Sequence, residues 1–497
     1  PTLTLTAGDD FGATPAISNF FEDTPAVLAQ RMMGIQVGAL GNHNFDAGVG
    51  RLQQLVNLAG APTSASTPGQ PFRYVAANLK NLSDNVSGIS PVAYFRVGGV
   101  KVAVIGITNE EAPSVVAVGA FGTIVPTDGV AAANKFTRIA RQNGSQVVVI
   151  ITHKGVRGFD GSGNPTGELI DFAKGVQGAD VILGDHTDVK WSGTINGILV
   201  HENRSFGYTY AKTLITLTNG VVSAKSVSFV DPTVTPLENN KTTCPATGYC
   251  DQAIVDMLTP IRADLAEIFD GTIGTSTGVF PRGGNVERMQ ENALADVIAD
   301  GMRWKYGTDI GFLSGGGVRA TMPSGYAPLD STLRRPKAGD PADATYDLVI
   351  GDVYTVLPFG NIVVTRSVTG AQIWAALENG VSQITCKGLG TDGRFPQVSG
   401  MKFTFDYNLA PGSRVTAVSL DDGTPIPNSS GSTYTMALPN FTNGGGDSYS
   451  MFADGQGVSR DLDANVMLEY MQGHGPNWNP ADYPIGGRIT KLGSPTC

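Results

Sequence analysis

The sequence predicts an α/β fold in two parts: an N-terminal β-sandwich flanked by helices, then a linker helix and a C-terminal α/β domain. Three observations predict it. From Pro1 to about Asp231, short apolar runs that suit buried strands alternate with segments whose apolar residues recur at helical spacing. Polar turns carrying Asn, His and Asp follow several of those runs, which is where open α/β sheets place their chemistry. Between Asp231 and about Gly271 the texture changes, and a second alternation begins at Ile273. The expected domains are 1–231, a linker over 232–272, and 273–497.

Leu3-Thr4-Leu5-Thr6 is the first run and leads into Gly8-Asp9-Asp10-Phe11-Gly12. Ile35-Gln36-Val37-Gly38 is the second and delivers Gly41-Asn42-His43-Asn44-Phe45-Asp46. Gly48 to Leu58 reads as a helix, because Val49, Leu52, Leu55, Val56 and Ala59 share one face. Tyr74 to Asn78 and Val100 to Ile107 read as strands, Gly129 to Gln142 and Glu168 to Val176 as helices. Val147 to Thr152 ends in His153-Lys154-Gly155, and Ala179 to Leu183 ends in Gly184-Asp185-His186-Thr187-Asp188. Gly197 to Val200 precedes His201 and Glu202, which read as a surface pair or as groups supporting a site from behind. Ile254, Met257, Leu258, Ile261, Leu265 and Ile268 form the stripe of a connecting helix. Arg288 opens a helix running to about Tyr306. Ile310 to Leu313 then delivers Ser314-Gly315-Gly316-Gly317-Val318-Arg319, whose glycines permit close backbone approach to a ligand and whose guanidinium can hold an anion. His474 reads as structural or solvated.

The formal net charge of −10 excludes a nucleic-acid polymer as a bulk partner, since a phosphate backbone demands clustered Lys and Arg. Nucleotides need only a few local cations. The spacing of Cys244 and Cys250 suits a local disulfide, and Cys386 with Cys497 makes the natural second pair. An even count points to an oxidising compartment, so an extracellular, periplasmic or cell-surface location is expected. No stretch reaches the roughly 18 apolar residues of a membrane span. No signal peptide is visible, as expected of a trimmed N terminus.

The chain has five histidines, and His43, His153 and His186 all follow apolar runs. Asp9, Asn42, His153 and His186 make a mixed oxygen and nitrogen donor set that suits Zn, Mn or Fe rather than Ca. His43 can pass a proton to a leaving oxygen, with Asp46 fixing its tautomer. Gly8-Asp9, Gly41-Asn42-His43, Thr152-His153-Lys154-Gly155 and the His186 segment resemble the motifs of calcineurin-like metallophosphoesterases, specifically 5′-nucleotidases and UDP-sugar hydrolases. Leu357-Pro358-Phe359-Gly360-Asn361, Arg394 to Gly400 and Phe441-Thr442-Asn443-Gly444-Gly445-Gly446-Asp447 resemble the C-terminal domain of the same family, in the same order.

The resemblance implies two divalent metal ions, Zn, Mn or similar, with Asp9 bridging them and Asn42, His153 and His186 completing one site. Asp188 stands where the family has a neutral ligand and, with Asp9, is what this chain offers as ligands to the other metal site. The family's first motif, Asp-x-His, has no counterpart. The expectation is a preceding strand that carries it; a catalytically silent nucleotide-binding or surface protein is the alternative. The resemblance also implies a nucleobase clamped between Phe359 and Phe441, ribose hydroxyls bound by Asp447, and the anionic end of the ligand contacted by Arg288 and Arg319. Arg394 belongs to the same substrate site, and Ser314 replaces the family's usual Asn. Taken alone, both phenylalanines read as core. The implied reaction is metal-dependent hydrolysis of nucleoside 5′-monophosphates. Nucleotide-sugar pyrophosphatase and cyclic-nucleotide phosphodiesterase activity are the alternatives on the same fold.

Overall fold

The computed structural model describes every residue except 206, 233–241, 246–249, 283–285, 385–392 and 494–497. The chain divides into two compact units. One comprises Pro1–Thr14, Ser18–Pro236 and Thr243–Val255; the other is Asp256–Cys497 with the short segments Pro15–Ile17 and Leu237–Thr242. The division falls inside the helix Gln252–Phe269.

In the first unit, three short parallel strands, Leu5–Thr6, Val37–Ala39 and Arg73–Val75, form one sheet in chain order. A six-stranded sheet runs in the order Trp191–Ile195, Ile198–Glu202, Val181–Gly184, Val147–Thr152, Val100–Ile107, Val92–Val97. Its four inner strands are parallel and each edge strand closes a hairpin. Strands buried on both faces need continuous apolar runs, and Val147–Thr152 is buried at every position. On one face Val37, Ala39 and Val75 pack with Val102, Val104, Val149, Ile151 and Val181, and the hairpin of Tyr210–Thr218 and Val221–Val230 adds Ile215, Leu217, Val222 and Val227. On the other face Ala133, Ala140, Leu169 and Phe172 of the helices Gly129–Gln142 and Glu168–Gly175 cover Ile105, Ile150 and Ile182. This is the sandwich with outer helices that the sequence predicts.

The second unit has a five-stranded mixed sheet in the order Pro396–Ser399, Ile310–Ser314, Thr433–Pro439, Ile362–Thr369, Val458–Leu462. The helices Ala293–Tyr306 and Asp463–Gly473 belong to one core beside it. The helix Gly370–Val381 and the strands Met401–Asp406 and Val415–Leu420 belong to another. The helix expected from Arg288 opens later. Arg288 ends a separate 3-10 turn, and Asn292 caps Ala293–Tyr306, its Oδ1 accepting from the amides of Leu294 at 3.0 Å and Ala295 at 3.1 Å. A side chain that satisfies two orphan amides outranks the apolar periodicity upstream of it. Cys244 and Cys250 form a disulfide; the pair expected of Cys386 and Cys497 lies outside the described residues.

Candidate active site

Asp9, Asn42, His153 and His186 each follow a strand of the first unit. Three of them converge. His153 Nε2 lies 2.7 Å from Asp9 Oδ2 and 3.0 Å from His186 Nδ1. The candidate donor atoms of Asp9, His153 and His186 all lie within 4.8 Å of one another. Burial works to raise the Asp9 carboxyl, but His153, His43 and His186 outweigh it and hold it below the usual carboxylate range. Burial likewise lowers His153, and Asp9 with Asp185 overcomes it, raising the imidazole to about 10.

Local chain geometry makes this approach possible. A Cβ on Gly8 would lie 2.6 Å from His153 Nδ1, and one on Gly41 would lie 2.2 Å from Asp9 Oδ1 and 2.7 Å from the His153 ring. Glycine at both positions lets three loops meet. Asp9 and His186 hold left-handed backbone, φ 49° and 83°, which costs a non-glycine residue on the order of 1 kcal/mol or more and collects at functional sites. Asn44 joins the first two loops, its Oδ1 accepting from Gly41 N at 2.7 Å and Asp9 N at 3.2 Å. Its Nδ2 donates to Asp10 Oδ1 at 3.0 Å. Burial raises the Asp10 carboxyl to about 7, and Tyr74 donates to it at 2.9 Å.

Asn42 is 2% exposed, and its Oδ1 is buried with no hydrogen-bond partner. An amide oxygen buried without a donor costs about 1–3 kcal/mol. A cation would satisfy it, and Asp9, His153 and His186 are the donor types that suit one. The residues present therefore fit a divalent ion. Asp188 does not join them: its carboxylate accepts from Arg204 Nη2 at 2.9 Å and from Ser205 N and Oγ at 3.0 Å each. Those donors hold its carboxylate.

His43 and Asp46 lie in the turn after Asn42, with Nδ1 2.9 Å from Asp46 Oδ2. The backbone amide of His43 donates to Asp9 Oδ1 at 2.8 Å, so this dyad is tied to the donor cluster. Two contributors, Glu111 and Asp185, escaped the sequence reading, and a third, Glu202, was read there with two alternatives. Glu111 Oε1 lies 3.2 Å from His186 Nε2 and pairs with Arg157. Asp185 Oδ2 lies 3.7 Å from His153 Nδ1. Glu202 is buried, as is His201, so the surface-pair reading fails for both. Glu111 follows a strand tip in Asn109-Glu110-Glu111, but nothing local in that run pairs it with a histidine 75 positions on.

In the second unit Phe359 and Phe441 are partly exposed, not core. The Arg319 guanidinium lies 5.4 Å from the Phe359 ring centroid. The Phe441 ring lies so close to Gly446 that a Cβ there would sit 2.3 Å from it. Next to Gly446, Asp447 holds left-handed backbone, φ 53°, and its carbonyl accepts from Asn379 Nδ2 at 3.0 Å. Asn379 Oδ1 lies 3.5 Å from Arg394 Nη1, and Tyr449 donates to the Arg394 carbonyl. Ser314 is buried at a strand end. The glycine turn after it makes a close approach within the chain itself. Gly315 N donates to Phe395 O at 2.7 Å and Gly316 N to Gly393 O at 2.8 Å, so the close approach is to the segment carrying Arg394. Arg288 and Arg282 flank the buried Glu287, at 3.8 and 3.4 Å from its Oε1.

Residues 272–454 match the family described as 5′-nucleotidase, C-terminal domain. The trifunctional nucleotide phosphoesterase protein YfkN of Bacillus subtilis (strain 168) is 26% identical over 536 residues, covering 99% of this chain and 33% of YfkN. This chain thus spans a third of that relative's length. The snake venom 5′-nucleotidase of Gloydius brevicauda is 25% identical over 509 residues, 95% of this chain and 78% of that one. Among solved structures, the 5′-nucleotidase precursor from Thermus thermophilus superposes with a TM-score of 0.79 at 26% identity, covering 99% of this chain and 90% of that one. Residues 272–454 thus match the 5′-nucleotidase C-terminal domain, and along nearly its whole length the chain is similar in sequence and fold to 5′-nucleotidases and a nucleotide phosphoesterase.

Proposed function

We propose that the chain hydrolyses nucleoside 5′-monophosphates to nucleoside and phosphate, using divalent cations held by Asp9, Asn42, His153 and His186. The observation that carries this is the orphaned amide oxygen of Asn42 in the turn that holds the His43–Asp46 pair. When bound, divalent cations such as Zn or Mn lower the pKa of water and offset charge on phosphoryl oxygens. Asp46 accepts the Nδ1 proton of His43 and stabilises the imidazolium, whose other nitrogen donates to the ribose oxygen. Water adds to phosphorus, the phosphorus–oxygen bond to the ribose breaks, and the histidine proton leaves with that oxygen; the water protons stay with the phosphate, which gives one up to solvent, and solvent reprotonates the imidazole. In the second unit Phe359 and Phe441 stack on the base, Asp447 accepts from ribose hydroxyls, and Arg288, Arg319 and Arg394 supply positive charge. Partial exposure of both phenylalanines supports the stacking role, since a ring sealed in a core cannot receive a base.

Similarity to YfkN, a trifunctional nucleotide phosphoesterase, favours a broader substrate range as a second reading, with nucleotide-sugar pyrophosphate or cyclic-nucleotide hydrolysis at the same centre. Phosphate release from AMP, UDP-glucose and 2′,3′-cyclic AMP by chelated and then Mn2+-loaded protein separates these readings; activity on none of them refutes both. An extracellular, periplasmic or cell-surface location belongs to the same proposal, supported by the Cys244–Cys250 disulfide. No helix among the described residues is long and apolar enough to cross a membrane.

A further inference from the structure

Glu202 ends the strand Ile198–Glu202 and is 0% exposed. Its Oε2 accepts from the amide of Val156 at 2.6 Å, and its Oε1 lies 2.6 Å from Thr187 Oγ1. The same hydroxyl lies 2.8 Å from the carbonyl of Val156. A threonine hydroxyl has one proton, and here it faces two oxygens. A backbone carbonyl can only accept, so serving both contacts requires the hydroxyl proton to go to Val156 and Glu202 to supply the other. Burial, which pushes the Glu202 carboxyl well above the usual carboxylate range, agrees with a neutral acid. Glu202 then closes a ring of three hydrogen bonds. Val156 N–H donates to Oε2, Oε1–H to Thr187 Oγ1, and Thr187 O–H to Val156 O.

Val156 lies in the segment that follows His153, and Thr187 is next to His186. The two segments are in contact throughout this stretch. A Cβ on Gly155 would lie 2.4 Å from Thr187 Oγ1, and one on Gly184 would lie 2.7 Å from the Lys154 carbonyl. Asp185 N also donates to Lys154 O at 3.0 Å. We propose that Glu202 is a positioning residue: through Val156 and Thr187 it locks the His153 and His186 loops together, fixing the spacing of their imidazoles for cation binding. This rests on the cation reading of the site given above.

The test is a calorimetric titration of Mn2+ alone into the metal-free full chain, with thermal melts confirming that each variant is folded. Glu202→Ala is expected to weaken Mn2+ binding by about 10- to 100-fold. Thr187→Val, which removes only the bridging hydroxyl, is expected to weaken it in the same direction. Glu202→Gln can accept from Val156 with its oxygen and donate to Thr187 with its nitrogen, so it is expected to restore affinity to within about threefold of wild type. Folded Glu202→Ala or Thr187→Val protein with wild-type affinity overturns the inference while leaving the cation reading intact. So does Glu202→Gln as weak as Glu202→Ala. Should Glu202→Ala not fold, Thr187→Val and Glu202→Gln decide the matter between them. A wild-type chain that takes up no Mn2+ overturns both.

Discussion

His43 carries the proton in the proposed reaction, and its geometry separates turnover from affinity. Asp46 holds one ring nitrogen at 2.9 Å, and the base-stacking residues lie elsewhere in the chain. His43→Ala is therefore expected to lower kcat on AMP by about 10²- to 10⁴-fold while KM stays within about threefold. Equal loss in both constants counts against a proton-donor role. Phe441→Ala should do the opposite, raising KM by an amount equivalent to about 1–3 kcal/mol with little change in kcat; steady-state kinetics on AMP reads both. The placement of Asp9, Asn42, His153 and His186 after strands was legible because each follows an apolar run. The partners of Asp188 were not legible, because sequence spacing does not reveal that Arg204 and Ser205 donate to its carboxylate. Glu111 was not assigned and Glu202 was left between a surface and a supporting role, because their partners lie 75 and 46 positions away, across loops whose contact depends on the tertiary fold.

Elements with a long, regular pattern were readable in detail. Val100–Ile107, Gly129–Gln142 and Val147–Thr152 fall where periodicity places them. The strands of two or three residues in the first sheet carry too little pattern to bound, and the start of Ala293–Tyr306 is set by a cap rather than by its stripe. That cap makes a prediction: Asn292→Ala should cost about 1 kcal/mol and lower the Tm by about 2–4 °C. Asp463 opens the neighbouring helix Asp463–Gly473. Burial raises its carboxyl to about 7, and its Oδ2 is buried without a hydrogen bond. The folded state therefore binds a proton that the unfolded state has already released. Its contribution to stability is fully present below the unfolded value near 4 and is lost as pH rises towards 7. Asp463→Asn should accordingly raise the Tm by a few degrees at pH 7.5 and leave it nearly unchanged at pH 3.5. Equal shifts at both values would contradict the assignment.

At the scale of the whole molecule, a likeness to 5′-nucleotidases meets a specific chemistry. The α/β class and the likeness to 5′-nucleotidases were legible in the sequence, because the motifs stand in order along nearly the entire chain. Whether Phe359 and Phe441 were core was not legible, since a phenylalanine at a loop and one in a core look alike until burial is known. The central claim is that Asp9, Asn42, His153 and His186 hold a divalent ion that phosphate release from AMP requires. The direct measurement is phosphate release by the chelated chain, by the same chain resupplied with Mn2+ or Zn2+, and by a His153→Ala variant resupplied in the same way. Negligible release after chelation, recovery on resupply, and no recovery in the variant are the predicted results. Release that survives chelation, or that His153→Ala recovers as fully as the wild type, would contradict the claim.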